Sequence, residues 1–150
     1  MSVSAALKLS IYKKSTQISW VEIIQYLLSN GWSLNDHNMM TYLPLHDNDM
    51  YDWKREQINE KCLMKILTDK ENAKEPLGVC VIWKGSNTGG SFQTLSDEEM
   101  LFSISINRKT IQLCEGKTMT DVNWYLLRIN SILSQMKDIQ IVSTEFFEYV

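Results

Sequence analysis

Hydrophobic and polar positions alternate strictly near the start of the chain. In "LKLSIYK", Leu7, Leu9 and Ile11 fall on one side and Lys8, Ser10 and Tyr12 on the other. That period of two predicts a half-buried strand. The period then lengthens. In "ISWVEIIQYLLSNG", Val21, Ile24, Leu27 and Leu28 recur at helical spacing. Ser19 and Glu22 form a capping box, and Ile18 and Ile23 are spaced as a hydrophobic staple. Asn30-Gly31 supplies a left-handed stop. A helix over about 19–30 follows, with its apolar stripe turned to a core.

The next stretch, "WSLNDHNMMTYLPL", reads as two short strands around a turn at Asn35-Asp36, with Pro44 ending the second. "HDNDMYDWKREQ" is polar and acidic and predicts a loop running into a short helix. Beyond it the pattern admits two readings. Ile58, Cys62 and Ile66 fit a helix. "CLMKILT" and "LGVCVIW" are apolar runs of strand length, and the insert "DKENAKEP" between them carries turn chemistry, so a hairpin is the preferred expectation.

"GVCVIWK", "SFQTL" and "MLFSISIN" each predict a strand. In the last, Phe102, Ile104 and Ile106 alternate with Ser103, Ser105 and Asn107. The region from Cys62 to Asn107 is therefore expected to form a four-stranded antiparallel meander. "TIQLC" would extend it after a turn at Asn107-Arg108-Lys109. A second helix is expected over about 120–137, with Thr120 as N-cap and Asp121 set against the helix dipole. Its seam would be Val122, Leu126, Ile129, Leu133 and Met136, and Lys137 suits its C-terminal end. "IQIVSTEFFEYV" predicts a closing strand. No internal repeat, linker or low-complexity tract interrupts the chain. The expected fold is α+β: a single domain over 1–150, an antiparallel β-meander sheet packed by two main helices.

Composition narrows the function. At 150 residues and 44% hydrophobic, the chain can bury a proper core. Its net charge of −3 gives no basic excess with which to replace counterions on phosphates. Nucleic-acid binding is not expected, and no basic-aromatic strand of the RNA-binding kind is present. Trp20, Trp83 and Trp124 fall within predicted elements, where a core role is usual. The N-terminus "MSVSAALKLSIYKK" lacks the pattern of a signal peptide. No apolar run approaches the roughly 20 residues of a membrane span. A cytoplasmic protein is expected.

Cys62, Cys80 and Cys114 are far apart, and His37 and His46 neighbour neither each other nor a cysteine. A structural zinc site needs four N/S ligands, usually in close pairs, so no metal is expected. "KGSNTGG" has the composition of a phosphate loop in the wrong order. Lys84 precedes its first glycine, three residues separate Gly85 from Gly89, and Phe92 opens a strand where a helix would be required. A hairpin loop is the better reading. Asp47, Asp49 and Asp52 lie within six residues, but the sixth position of an EF-hand count from Asp47 is Asp52, where the bend needs glycine. No GxSxG or HExxH occurs. No catalytic residue and no cofactor is expected.

The run "LGVCVIWKGSNTGGSF…MLFSISINRKTI", followed by "TDVNWYLLRINSIL", resembles small immunity proteins of bacterial polymorphic-toxin systems, including those of contact-dependent growth inhibition. The W-K-x-x-x-x-G-G-S-F turn and the I-S-I-N-R end carry the resemblance, over roughly Leu77 to Leu133. It implies a non-enzymatic protein that binds and blocks one cognate toxin domain, often a nuclease. An inhibitor of a phosphate-binding site suits carboxylates set beside aromatics. Two stretches qualify: Asp47, Asp49 and Asp52 with Tyr51 and Trp53, and the turn Asp97, Glu98 and Glu99. Two other classes compete. One is a small enzyme or ligand-binding domain with a pocket between sheet and helices, in which His37 or His46 would meet a carboxylate or cysteine. The other is a regulatory or adaptor domain.

Overall fold

The computed structural model describes residues 3–34, 36–47 and 50–150. The fold is α+β, built on a mostly antiparallel sheet. Strand β1 (Ser4–Lys13) follows the alternation: Ala5, Leu7, Leu9 and Ile11 are buried, and the residues between them face the other way. Helix α1 (Trp20–Ser29) is capped by the Ser19 hydroxyl, which accepts from the Glu22 N–H at 3.1 Å. Gly31 carries the positive φ of the stop, at 125°, while Asn30 stays at negative φ.

Strands β2 (Trp32–Ser33) and β3 (Met40–Tyr42) do not pair with each other. Both lie along the same edge of β5 (Gly78–Trp83), as one interrupted strand. The turn between them is at His37-Asn38, both at positive φ, rather than at Asn35-Asp36. Asn35 lies outside the described residues. After the acidic loop comes a third short strand, β4 (Lys54–Glu56), where a helix was expected; it pairs with β3.

The preferred hairpin after Cys62 is overturned. Residues Glu60–Asn72 form a helix, α2. The Asn59 side chain accepts from the Cys62 N–H at 2.7 Å, which caps its start. Leu63, Leu67 and Lys70 form the buried stripe, and Cys62 is exposed. The meander therefore has three strands: β5, β6 (Gly89–Thr94) and β7 (Glu99–Ile106). "KGSNTGG" is the β5–β6 connection. A Cβ on Gly89 would fall 1.9 Å from the Val81 carbonyl oxygen, and one on Gly90 would fall 1.9 Å from that of Ser103. These glycines are required by strand packing.

"TIQLC" does not extend the sheet. As β8 (Thr110–Cys114) it pairs with β9 (Lys117–Thr120) in a separate two-stranded hairpin. The second expected helix is shorter than 120–137 and broken. Asp121, not Thr120, caps α3 (Val122–Arg128), and α4 (Asn130–Leu133) follows after Ile129. The buried seam is Tyr125, Ile129, Ile132 and Leu133; Val122, Leu126 and Met136 are only partly buried, and Lys137 lies beyond the helix. With α2 added, the helical layer has more than the two main helices expected. The chain closes with β10 (Ile139–Tyr149), which pairs with β1 along its whole length.

The sheet order is β10-β1-β7-β6-β5-β3-β4, with β2 beside β5. On one face, the apolar residues of β1, β5, β6 and β7 meet Ile23, Leu27, Leu63, Leu67, Tyr125 and Leu133 from the helices. Trp32 sits at the centre, wholly buried, with ring centroids of Trp83, Phe92 and Phe102 at 5.3, 5.9 and 5.5 Å. The opposite face is half-exposed. The register sets Ala6, Ser103, Ser91 and Cys80 in a row across it.

Candidate functional site

In the acidic stretch, Asp47 is tied to the backbone of Tyr51 and Asp52. The Asp47 carboxylate accepts from the N–H groups of Tyr51 and Asp52 at 2.6 and 3.0 Å. Asp47 is thereby committed to the turn, while Asp52 is exposed and Tyr51 is 46% exposed. Asp49 lies outside the described residues. Trp53 is half-buried, its ring lying against Gly78 beside the buried Leu43, so it roofs the sheet edge more than it projects.

A buried lysine anchors the segment that leads into this stretch. Lys70 projects from the apolar stripe of α2, and its side chain is 1% exposed. Its ammonium donates to the Pro44 carbonyl at 2.7 Å and faces Glu75 at 3.4 Å. Glu75 also accepts from the His46 N–H at 2.7 Å, and its other oxygen lies 3.4 Å from His46 Nδ1. Burial works against the charged form of Glu75, but the His46 N–H and the Lys70 charge outweigh it and hold its carboxyl below the usual range.

The second acidic stretch is the β6–β7 turn. Asp97 and Glu98 are exposed. Glu99 begins β7 and pairs with Lys8 at 3.0 Å, which raises the lysine pKa through the hydrogen bond and the carboxylate charge. Although fifty residues apart, the two stretches lie on one rim. Asp47 and Tyr51 line a cleft of about 200 Å³, Asp97 lines another of about 400 Å³, and both clefts share Lys74, Glu75 and Pro76. Glu71 stands in the second cleft and accepts from the N–H groups of Trp20 and Val21 at 2.7 and 3.2 Å. It supplies a long-range cap for α1 that no local spacing could reveal. Lys13 lies over the Trp20 ring at 4.5 Å, and burial lowers its pKa.

Both histidines of the competing enzyme reading lie beside a carboxylate, as that reading expects. His37 Nδ1 lies 2.7 Å from Asp36, and His46 lies beside Glu75. Both imidazoles stand in solvent, and their polar partners are carboxylates rather than thiols. Cys80 is half-buried, and burial pushes its thiol up to about 11, with the Asp36 charge adding to the effect. A thiol so shifted is a poor nucleophile near neutral pH. Among the described residues no group of three or more His, Cys, Asp or Glu could hold a metal ion. No helix among them is long and apolar enough to cross a membrane. The space between sheet and helices, where a buried ligand would sit, is filled by Trp32, Phe92, Phe102 and Tyr125.

Two further features were not foreseen. On the open sheet face a shallow cleft of about 510 Å³ is floored by Ala6, Ser103 and Ser105 and walled by Arg108, Phe147 and Tyr149. Small residues at alternate positions of β1 and β7 were the only sequence signal for it. At the end of the sheet opposite the acidic rim, the Arg128 guanidinium lies 4.2 Å from the Trp124 ring centroid and 5.1 Å from that of Trp83. Compared with protein-family models, curated proteins and solved structures, the chain matches none.

Proposed function

We propose that this chain is an immunity protein that binds and neutralises a cognate bacterial toxin domain, with the acidic rim as its contact surface. The observation that carries the reading is the union of two separate acidic stretches on one rim, with Lys70 and Glu75 anchoring Pro44 and His46 at the start of the first. Exposed carboxylates beside an exposed tyrosine suit a cationic, partly apolar target such as a nuclease active site. In this reading the protein acts in the cytoplasm by occupancy, without catalysis or cofactor. Asp52, Asp97, Glu98 and Tyr51 make the contact, while Asp47, Trp53 and Glu99 shape the surface.

The test is co-expression with the toxin domain encoded beside this gene. Rescue of growth and co-elution of the two proteins are expected. Reversing Asp52, Asp97 and Glu98 to Lys should weaken the complex at least tenfold and reduce its salt dependence. A toxin that binds the reversed variant as tightly as the parent would place the contact elsewhere. Absence of any toxin neighbour or toxin binding would remove the proposal.

A further inference from the structure

The two edges of the main sheet are unlike. The edge at β4 is three residues long and reads Lys-Arg-Glu, short and charged in the manner that blocks strand addition. The edge at β10 is eleven residues long and contains no Pro, Lys or Arg. It pairs with β1 on one side, and no strand among the described residues pairs with its other side. Its one irregularity is a bulge where Ser10 pairs with Ser143 and Ile11 with Ile141, leaving Val142 as the extra residue, 65% exposed. Beyond the bulge, Ser143–Tyr149 runs in unbroken register against β1.

That segment has a defined pair of faces. Ser143, Glu145, Phe147 and Tyr149 share the open face with Ser10, Lys8, Ala6 and Ser4. Thr144, Phe146 and Glu148 share the helix face, where Asn130 donates to the Thr144 hydroxyl at 2.8 Å and the Thr120 N–H donates to Glu148 at 2.8 Å. The first contact comes from α4 and the second from the end of β9, and neither takes a backbone group of β10.

We propose that Ser143–Tyr149 pairs antiparallel with the same segment of a second copy of this chain, joining two sheets across a two-fold axis at Phe146. The segment complements itself in that register. Phe146 meets Phe146, Glu145 meets Phe147, Glu148 meets Thr144 and Ser143 meets Tyr149, so no carboxylate faces another and an aromatic pair lies on the axis. A pairing centred on Glu145 would set the two Glu145 carboxylates directly opposite. A pairing centred on a peptide bond would mismatch the faces along the whole segment. The contact is isologous and closes on itself, so it ends at a dimer and builds no fibre.

Sedimentation equilibrium tests the assembly. The parent chain should show a mass approaching twice 17.5 kDa as concentration rises. Phe146→Lys, which puts two ammonium groups on the axis, should remain a monomer with the far-UV circular dichroism of the parent. Phe146 also touches the core. Should that variant fail to fold, hydrogen exchange of the parent decides: amides of 143–149 should exchange more slowly in concentrated than in dilute solution, and those of β4 should not change. A monomer at every concentration overturns the proposal. So does a dimer whose 143–149 amides exchange independently of concentration, or one that survives Phe146→Lys unchanged.

Discussion

The two ends of the sheet both combine aromatic rings with charge, and they use the charge in opposite ways. At the end bearing Trp83 and Trp124, charges are consumed inside the fold. Arg128 lies against two indole rings and donates to the Trp124 carbonyl at 3.1 Å, and Arg108 is spent on Glu148 and the Thr120 hydroxyl. At the acidic rim, the buried Lys70 and the partly buried Glu75 serve as anchors, while Asp52, Asp97 and Glu98 keep their carboxylates in solvent. A charge that already has a partner in the fold stabilises the fold. A charge left exposed costs the chain little and is available to a second molecule. The contrast predicts that mutations at the first end lower stability and that mutations of the exposed rim carboxylates change binding alone.

The largest effect should come from the aromatic cluster. Trp32 is wholly buried, meets four other rings, and donates its indole N–H to the Arg128 carbonyl at 2.8 Å. Trp32→Ala should cost about 3–5 kcal/mol in urea unfolding, since it removes the ring and leaves a cavity. At the acidic end the same logic reaches only the anchor. Lys70→Met keeps the stem on the buried stripe with Leu63 and Leu67 but strands the Pro44 carbonyl and removes the cation beside Glu75. It should cost about 1–3 kcal/mol, and the amides of residues 45–47 should exchange faster than in the parent. An unchanged exchange pattern would mean that Lys70 does not anchor that segment.

These particulars explain which parts of the molecule were legible in the sequence. β1, α1 and the strands of the meander rest on local patterns that tertiary contacts reinforce, such as the Ser19 cap and the Phe102, Ile104 alternation. Helix α2 was misread because one member of its buried stripe is a lysine. Lys70 falls beyond "CLMKILT", in the polar insert that reads as a turn, so the run itself shows only Leu63 and Leu67 of the stripe; the Ile58, Cys62, Ile66 spacing and the Asn59 cap were the local signals for a helix. Missing α2 also hid the rim. Only the course of α2 brings residues 74–76 between the two acidic stretches, so each stretch was visible as a set of acids and their union was not. The β8–β9 hairpin was misassigned for a related reason: "TIQLC" has strand composition, but nothing local says which sheet it joins.

Acid titration separates the two ends by a smaller effect. At the aromatic end, the hydrogen bonds that Glu148 accepts from the Thr120 hydroxyl and N–H hold its carboxyl below the usual range, and the Arg108 charge assists. The unfolded chain therefore takes up the proton first as pH falls. Stability from this group is complete above the ordinary carboxylate range and is lost as pH drops through it toward the folded value. Glu148→Gln should lower Tm near neutral pH and flatten the acid limb of a Tm profile between about pH 3 and pH 7. Glu75 shifts in the same direction, so part of the limb should remain. A profile as steep as the parent's would show that Glu148 contributes nothing to acid unfolding.

The smallest effect is expected where the binding effect is largest. Asp52, Asp97 and Glu98 are exposed, and none of their carboxylates forms an ion pair among the described residues. Reversing all three to Lys should move unfolding free energy by no more than about 0.5 kcal/mol at each site. The reversal turns acidic rim residues into neighbours of Lys13 and Lys74, so any loss should shrink as salt is added. A Tm that falls by as much as that of Lys70→Met, and does not recover in salt, would mean that the rim carboxylates stabilise the fold. The division between an end that spends its charge and an end that presents it would then fail.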